Sequence, residues 1–119
     1  MHLLAETSEE DNAKCLGIVP ASAKKLPGSP QNPVPNMGWC PVQQVSAHAV
    51  LDGMQSGDYF YFVHSYALPL TAHTLATARH AAEFSAVIGK DNFVAAQFHP
   101  ERSSAAGSHL LQRFLQWQP

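Results

Sequence analysis

The chain has 119 residues, of which 45% are hydrophobic and 13% charged, a composition typical of one soluble globular domain rather than a disordered segment. A net charge of -2 gives no basic surface for nucleic acid, and no apolar run reaches the length of a membrane span. We therefore expect a cytoplasmic protein that binds neither nucleic acid nor a membrane. The two cysteines, Cys15 and Cys40, fit no metal or disulfide spacing, and we expect no metal or cofactor.

The elements predicted in the first half of the chain are short. Residues 1–5 are mostly apolar and precede a polar cluster, a pattern typical of a helix already under way. Residues 16–26 favour a short strand that runs into a loop at residues 27–33, where three prolines and a glycine break any regular structure. Residues 59–66 are rich in aromatic residues, and we predict that they form a strand in the interior of a sheet.

The second half of the chain predicts more strands and a final helix. Residues 74–81 and 84–88 could form a pair of strands, although the alanines of the first favour a helix. Residues 93–98 form another candidate for a buried strand, which ends at Pro100. Residues 107–117 predict an amphipathic helix with four large apolar side chains on one side. The expected architecture is mixed α/β with few strands.

A histidine and a carboxylate flank Pro100 at the end of the predicted strand of residues 93–98. His99 and Glu101 are the residue types of the base and the orienting carboxylate of a nucleophilic triad, in which the imidazole takes a proton from a thiol or hydroxyl. The alternative is a structural histidine beside a solvated charge. The order H-x-E also begins the zinc deaminase signature, but no P-C-x-x-C follows, which disfavours a metal site.

Three runs of residues resemble one protein family in the same order. They are Pro-Asn-Met-Gly-Trp at residues 35–39, Tyr-Phe-Val-His-Ser-Tyr at residues 61–66 and Gln-Phe-His-Pro-Glu at residues 97–101. The last is similar to a motif of class I glutamine amidotransferases. The first two resemble the glutaminase subunit of imidazole glycerol phosphate synthase, and this resemblance covers nearly the whole chain.

The resemblance implies the fold. The chain would be the C-terminal part of a flavodoxin-like α/β amidotransferase domain, with a mixed sheet and a closing amphipathic helix. We therefore expect residues 1–119 to form a single partial domain that lacks the N-terminal strands and the nucleophile elbow of the family.

The resemblance also implies a thiol amidase, in which a cysteine attacks the side-chain amide of glutamine, forms a thioester and releases ammonia. His99 would be the general base and acid, and Glu101 its orienting carboxylate. Glu10 would bind the ammonium group of glutamine, and Ser65 and Tyr66 would complete the substrate pocket. From the residues alone, these three could equally be a solvated charge, a strand serine and a packed aromatic.

The partner implied by the resemblance is the (β/α)8 cyclase subunit of the same synthase, which receives the ammonia. Trp39 and Tyr61 would lie at this interface, with core packing as the alternative for Trp39. Four residues differ from those usual in the family: Asn36 in place of histidine, Cys40 in place of asparagine, Arg102 in place of lysine and His2 in place of glutamine.

The nucleophile of this family lies in a G-x-C-L-G-M elbow, and the present sequence begins at the methionine. Cys15 is followed by Leu-Gly but then by residues that favour a strand, and Cys40 has no base near it in the sequence. Neither is therefore expected to be the nucleophile. We expect the chain alone not to hydrolyse glutamine, and its uncovered strand edges to favour self-association.

Three hypotheses of function follow. The leading one is a glutaminase component that supplies ammonia for imidazole glycerol phosphate synthesis in histidine biosynthesis. The second is a non-catalytic binding module that retains the glutamine pocket or the cyclase-docking surface. The third is a fragment of another class I amidotransferase, which the motif at residues 97–101 alone would allow.

Overall fold

The computed structural model describes residues 1–119 as two β-sheets, several short 3-10 turns and one α-helix. The strands are β1 (Thr7–Ser8), β2 (Ala13–Lys14), β3 (Ser22–Lys25), β4 (Asn36–Gln44), β5 (Asp58–His64), β6 (Tyr66–Ala67), β7 (Thr74–His80), β8 (Ala82–Lys90) and β9 (Phe93–Ala96), and the helix is α1 (Ser104–Gln116). The mixed α/β class predicted from the sequence is confirmed. No helix combines the length and the apolarity needed to cross a membrane.

The strands form a small mixed sheet and a larger antiparallel one. The small sheet has the order β2-β1-β3-β6, in which only β1 and β3 are parallel, and the larger has the order β5-β4-β7-β8-β9. The predicted pair of strands at residues 74–81 and 84–88 is present as β7 and β8. Alanines are tolerated in β7 because Ala76 and Ala78 are buried in the core, where burial outweighs the helix propensity of alanine.

Aromatic rings form the centre of the core beside β5. Phe60 stacks on Phe98 with ring centroids 4.2 Å apart. Phe62 meets both Phe84 and Phe98 edge-on at 5.7 Å. Burying one such ring contributes about 1.5–3 kcal/mol, and each aromatic pair adds about 0.5–1.5 kcal/mol. Because Phe98 belongs to this cluster, the residue that follows it is held against the outer edge of β5.

The prediction of a helix at the beginning of the chain is wrong. Only a 3-10 turn forms, at His2–Leu4, and strand β1 follows it. The physical reason is that the backbone N–H groups of Glu6 and Glu9 donate to the carbonyls of Ala21 and Ala23, at 2.8 and 2.9 Å, instead of to the preceding turn. Pairing with the segment around β3 therefore replaces the helical ladder.

The structure corrects two further predictions about strands. The segment around Trp39, for which the sequence predicted no strand, lies in the nine-residue strand β4. Pro41 is tolerated because β7 pairs only with Gln43 and Gln44, so β4 has a single neighbouring strand at Pro41. Strand β9 ends at Ala96 and is a partly exposed edge strand rather than a buried one reaching residue 98.

Strand β5 lies at the edge of the larger sheet, not in its interior as predicted. Its outer edge is covered by backbone that is not a strand. The N–H of His99 donates to the carbonyl of Tyr61 at 2.9 Å, and the N–H of Tyr61 donates to Oγ of Ser103 at 2.9 Å. The hydroxyl of Ser103 in turn donates to the carbonyl of His99 at 2.6 Å. This closure satisfies the edge without a neighbouring strand.

The helix α1 packs closely on the same turn through Gly107. A Cβ atom added at Gly107 would overlap the carbonyl oxygen of Pro100 and come within 2.8 Å of Cβ of Ser103. Only Gly107 and Leu110 of the helix are buried. The large apolar side chains predicted to face the core at positions 111, 114 and 115 are exposed, so the helix is anchored mainly by its first half.

We predict that Ser103→Ala lowers the free energy of unfolding by about 1–3 kcal/mol, because the partly buried N–H of Tyr61 loses its acceptor. Urea unfolding followed by circular dichroism measures the change. The control is Ser108→Ala, at an exposed position of α1, which should change stability by less than about 0.5 kcal/mol. Equal effects of the two variants would contradict the edge closure.

We predict that Gly107→Ala destabilises the protein by about 1–3 kcal/mol through overpacking. At an open helical position the same change would stabilise by about 0.8–1.0 kcal/mol, so the overlap with Pro100 reverses the sign. Ala105→Gly, at an exposed position of the same helix, measures the intrinsic helix propensity for comparison. Stabilisation by Gly107→Ala in thermal unfolding would show that α1 does not press on the turn.

Candidate functional site

His99 and Glu101 are in hydrogen-bond contact. Nδ1 of His99 lies 2.8 Å from Oε1 of Glu101, and the 3-10 turn Pro100–Arg102 between the two side chains fixes their relative position. A carboxylate only accepts, so the contact requires the proton on Nδ1 and leaves Nε2 with a free lone pair in the neutral ring. This tautomer is the one in which an imidazole can act as a base through Nε2.

The carboxyl group of Glu101 is held in its ionised form. A hydrogen bond from its own backbone N–H lowers the pKa of Glu101 below the usual value, and the contact with His99 and the charge of Arg102 lower it further. An ionised carboxylate is the form that accepts the Nδ1 proton of His99. Both side chains are partly exposed, 41% for His99 and 59% for Glu101, so the pair is accessible from solvent.

A cleft of about 600 Å³ is lined by His99 and Glu10, which are remote in sequence. A smaller cavity of about 350 Å³ is lined by Glu10, Ser65 and Tyr66. Besides Glu10, the cleft and the cavity share three lining residues, His2, Val63 and Gln97. The two spaces therefore adjoin, and the structure brings the predicted substrate residues to one groove that leads to His99.

The wall shared by the two spaces contains a pair of side chains to which the sequence analysis gave no site role. Nε2 of His2 donates to Oε1 of Gln97 at 2.6 Å. Burial lowers the pKa of His2 below its ordinary value, which favours the neutral ring at pH 7. The sequence contained signals for both residues, because Gln97 begins the motif of residues 97–101 and His2 is one of the four residues that differ from those usual in the family.

An exposed apolar surface covers the outer side of β4 and β5. We call it the outer face, formed by Met37, Trp39, Pro41, Tyr59, Tyr61 and Val63, which pair across the two strands. Trp39 and Tyr61 are direct partners whose rings meet edge-on at 5.9 Å. Trp39 is 49% exposed, so core packing does not account for it.

The outer face reaches the turn that carries the histidine and the carboxylate. The guanidinium of Arg102 lies 4.7 Å from the ring centroid of Tyr61, a cation–π contact of about 0.5–1 kcal/mol at an exposed position. Arg102 directly follows Glu101. A group that covers Tyr61 would therefore also contact the turn next to His99.

The two thiols lie in different surroundings. Cys15 lines the same cleft as His99, a proximity that the sequence did not predict. The thiol of Cys40 is directed to Oδ1 of Asn36 at 3.8 Å, and burial raises the pKa of Cys40. A raised pKa keeps this thiol protonated, the unreactive form.

Comparison with known proteins gives a consistent result. Residues 13–117 match the family described as glutamine amidotransferase class-I. The chain is 45% identical over 115 residues to the imidazole glycerol phosphate synthase subunit HisH of Colwellia psychrerythraea, an alignment that covers 93% of this chain and 51% of the relative.

Two further relatives carry related names. The subunit HisH 2 of Legionella pneumophila (strain Lens) is 45% identical over 115 residues, covering 97% of this chain and 58% of the relative. The subunit HisH of Escherichia coli O157:H7 is 44% identical over 117 residues, covering 98% of this chain and 59% of the relative. The chain thus spans between half and three fifths of the length of these relatives.

The resemblance inferred from the three sequence runs is confirmed by these matches. The matched range of the family, residues 13–117, contains both the turn with the bonded histidine and carboxylate and the strand β5 that it covers. From the extent of that match, this chain belongs to the class I glutamine amidotransferase family.

Proposed function

We propose that this chain is part of a glutaminase that hydrolyses glutamine to glutamate and ammonia, and that the ammonia is used in imidazole glycerol phosphate synthesis, a step of histidine biosynthesis in the cytoplasm. The observation that carries the proposal is the hydrogen bond between His99 and Glu101 beside a cleft lined by Glu10. The names of the relatives support the synthase as the destination of the ammonia.

His99 acts as the base and then as the acid in the proposed reaction. A thiol sulfur attacks the amide carbon of glutamine, Nε2 of His99 takes the thiol proton, and the same proton passes to the departing ammonia as the thioester forms. Water then attacks the thioester, loses a proton to His99, and returns the thiol with glutamate. The chain contains no G-x-C-L-G-M segment, and we assign no nucleophile to it.

Glu10 supplies the negative charge for the substrate in this proposal. The α-ammonium group of glutamine requires an anion, and Glu10 lines both the cleft and the cavity. Ser65 and Tyr66 line the cavity and offer hydroxyl and backbone groups to the α-carboxylate. Glutamine bound in this way would direct its side-chain amide along the groove towards His99.

We predict that the chain binds glutamine and that Glu10→Gln weakens binding by about tenfold or more, since a charge-assisted hydrogen bond is worth about 1.5–3 kcal/mol. Nuclear magnetic resonance titration measures the affinity from the amide shifts of Ser65 and Tyr66. The control is Glu83→Gln, on β8 and outside the groove. Equal binding by the wild-type chain and Glu10→Gln would refute the assigned role of Glu10.

An ammonia assay on the same protein separates a glutaminase from a binding module. We predict that the chain alone binds glutamine without releasing ammonia, and that adding a polypeptide with the G-x-C-L-G-M segment produces release that His99→Ala abolishes. Absence of release from that mixture would favour the binding module, and release that survives His99→Ala would refute the assigned role of His99. Steady release by the chain alone, lost in Cys15→Ala, would instead identify Cys15 as the nucleophile.

We propose that the outer face docks the (β/α)8 cyclase subunit. The relatives are named as subunits of a synthase, and an exposed tryptophan paired with a tyrosine is the composition of an interface anchor. The contact of Arg102 with Tyr61 supports this choice, because it connects a docked partner to the turn that holds His99.

We predict that Trp39→Ala weakens binding of the purified cyclase subunit by about thirtyfold, the loss expected of an aromatic anchor worth about 2 kcal/mol. Fluorescence anisotropy of the labelled cyclase measures the affinity. Leu115→Ala is the control, because Leu115 is 82% exposed on α1 and lies outside the outer face. Unchanged affinity in Trp39→Ala would move the docking surface elsewhere, and absence of any cyclase binding would favour another class I amidotransferase.

A further inference from the structure

A chain of hydrogen-bonded polar groups lies next to Ser65 and Tyr66, and its histidine, His64, also lines the cavity. Asn36 and His64 face each other across β4 and β5, and only 3% of Asn36 and 8% of His64 are exposed. Nδ2 of Asn36 lies 3.0 Å from Nε2 of His64, and Nδ1 of His64 lies 2.9 Å from the carbonyl oxygen of Tyr66. The thiol of Cys40 completes the chain at Oδ1 of Asn36.

These contacts define the tautomer of His64. The carbonyl of Tyr66 can only accept, so Nδ1 carries the proton and donates it. Nε2 then has the lone pair and accepts from Nδ2 of Asn36. The amide of Asn36 is oriented accordingly, because its oxygen faces the Cys40 thiol, a weak donor. Tyr66 therefore requires the proton on Nδ1 and Asn36 requires a bare Nε2, so the two partners together require the neutral ring.

The surroundings of His64 oppose its protonation. Burial lowers the pKa of His64, and the neighbouring rings of His2 and His80 lower it further when charged. The ring packs edge-on against Phe84 at 4.9 Å and lies 5.6 Å from Phe62. A second ring proton on Nε2 would also meet the N–H donor of Asn36. The hydrogen bond to the Tyr66 carbonyl raises the pKa of His64, but this effect is smaller than that of burial. Glu10 lines the same cavity as His64.

The hydrogen bond to Tyr66 spans the point where the chain passes from one sheet to the other. Strand β5 ends at His64 in the larger sheet, while β6 begins at Tyr66 and pairs with β3 in the small sheet. Ser65 is the one residue between them, and its carbonyl accepts from the N–H of Leu26 at 2.8 Å. The cavity wall is therefore built on this crossover, with His64 bonded across it.

We propose that His64 is a positioning residue for the glutamine cavity, where it fixes the Ser65 and Tyr66 backbone through the Tyr66 carbonyl, and that Asn36 holds His64 in the required tautomer. The inference rests on the proposed glutaminase function, because it assigns the cavity to glutamine. His64 acts through its neighbours, since both ring nitrogens are already bonded within the protein.

The test compares two variants, each of which places a side-chain amide nitrogen where one of the two ring nitrogens of His64 lies. The amide nitrogen of His64→Asn can take the place of Nδ1 and donate to Tyr66, whereas the longer side chain of His64→Gln reaches the place of Nε2 instead. We expect the affinity of His64→Asn for glutamine to lie within about threefold of the wild-type value. We expect His64→Gln to bind glutamine at least about tenfold more weakly than the wild type. His73→Gln, outside the cavity, is the control.

A second measurement needs no substitution. Long-range proton–nitrogen correlation spectra of the wild-type chain should give His64 a protonated Nδ1 and a bare Nε2 that persist from about pH 8 to about pH 6, below the ordinary histidine pKa. A proton on Nε2, or titration of His64 in that range, would overturn the proposal even if His64→Gln does not fold.

The outcomes separate the two ideas. Glutamine binding by the wild type with equal affinity in His64→Asn and His64→Gln would overturn the positioning role and leave the proposed function standing. Absence of glutamine binding by the wild type would overturn the proposed function, and the positioning role with it, whatever the tautomer of the ring.

Discussion

The rest of the structure depends on the hydrogen bonds that join the outer edge of β5 to residues 99–103. Tyr61 uses both its N–H and its carbonyl there, with Ser103 and His99 as partners. The same contacts satisfy an exposed sheet edge, seat the first half of α1 and set the direction of the His99 side chain. The hydrogen bonds that stabilise this sheet edge therefore also hold the turn that carries His99. The ring of Phe98, stacked on Phe60, supports the same turn from the core.

The site lies where two sheets of different construction meet. The small sheet contributes short strands around Glu10, and the larger sheet contributes β5 with its aromatic core. Glu10 lies in a 3-10 turn between β1 and β2, whereas His99 and Glu101 lie at the turn that follows β9. The crossover at Ser65 joins the two sheets within a single residue, which leaves little freedom for the cavity wall to move.

The sequence predicted the elements whose signals were local. The pair β7 and β8 was recognisable from apolar and β-branched residues, and the turn at Pro100 from proline itself. Strand β4 was missed because Gly38 and Pro41 are usually loop residues, and their tolerance depends on which edges a neighbouring strand leaves unpaired. The edge position of β5 could not be predicted either, because the pattern of apolar residues predicts that a strand forms but not which strands lie beside it.

The site is divided in the same way, between residues that the sequence predicted and contacts that it could not predict. His99, Glu101, Glu10, Ser65 and Tyr66 were chosen by resemblance. The structure gathers four of them around two adjoining spaces, with Glu101 hydrogen-bonded to His99, while their roles stay predictions. The bonds of Asn36 and His64 could not be read from sequence, since nothing in the residues around His64 reveals a partner 28 positions away. Spacing identifies residue types, whereas a tautomer is decided by atoms that are remote in the chain.

The two tryptophans give the molecule an optical property that follows from the outer face. Trp39 lies half in solvent against Tyr61, while Trp117 packs edge-on against His48 with ring centroids 5.0 Å apart. An indole in water emits at longer wavelength than one shielded from it. The intrinsic fluorescence therefore has two components, and the component from Trp39 shifts to the blue when the outer face is covered.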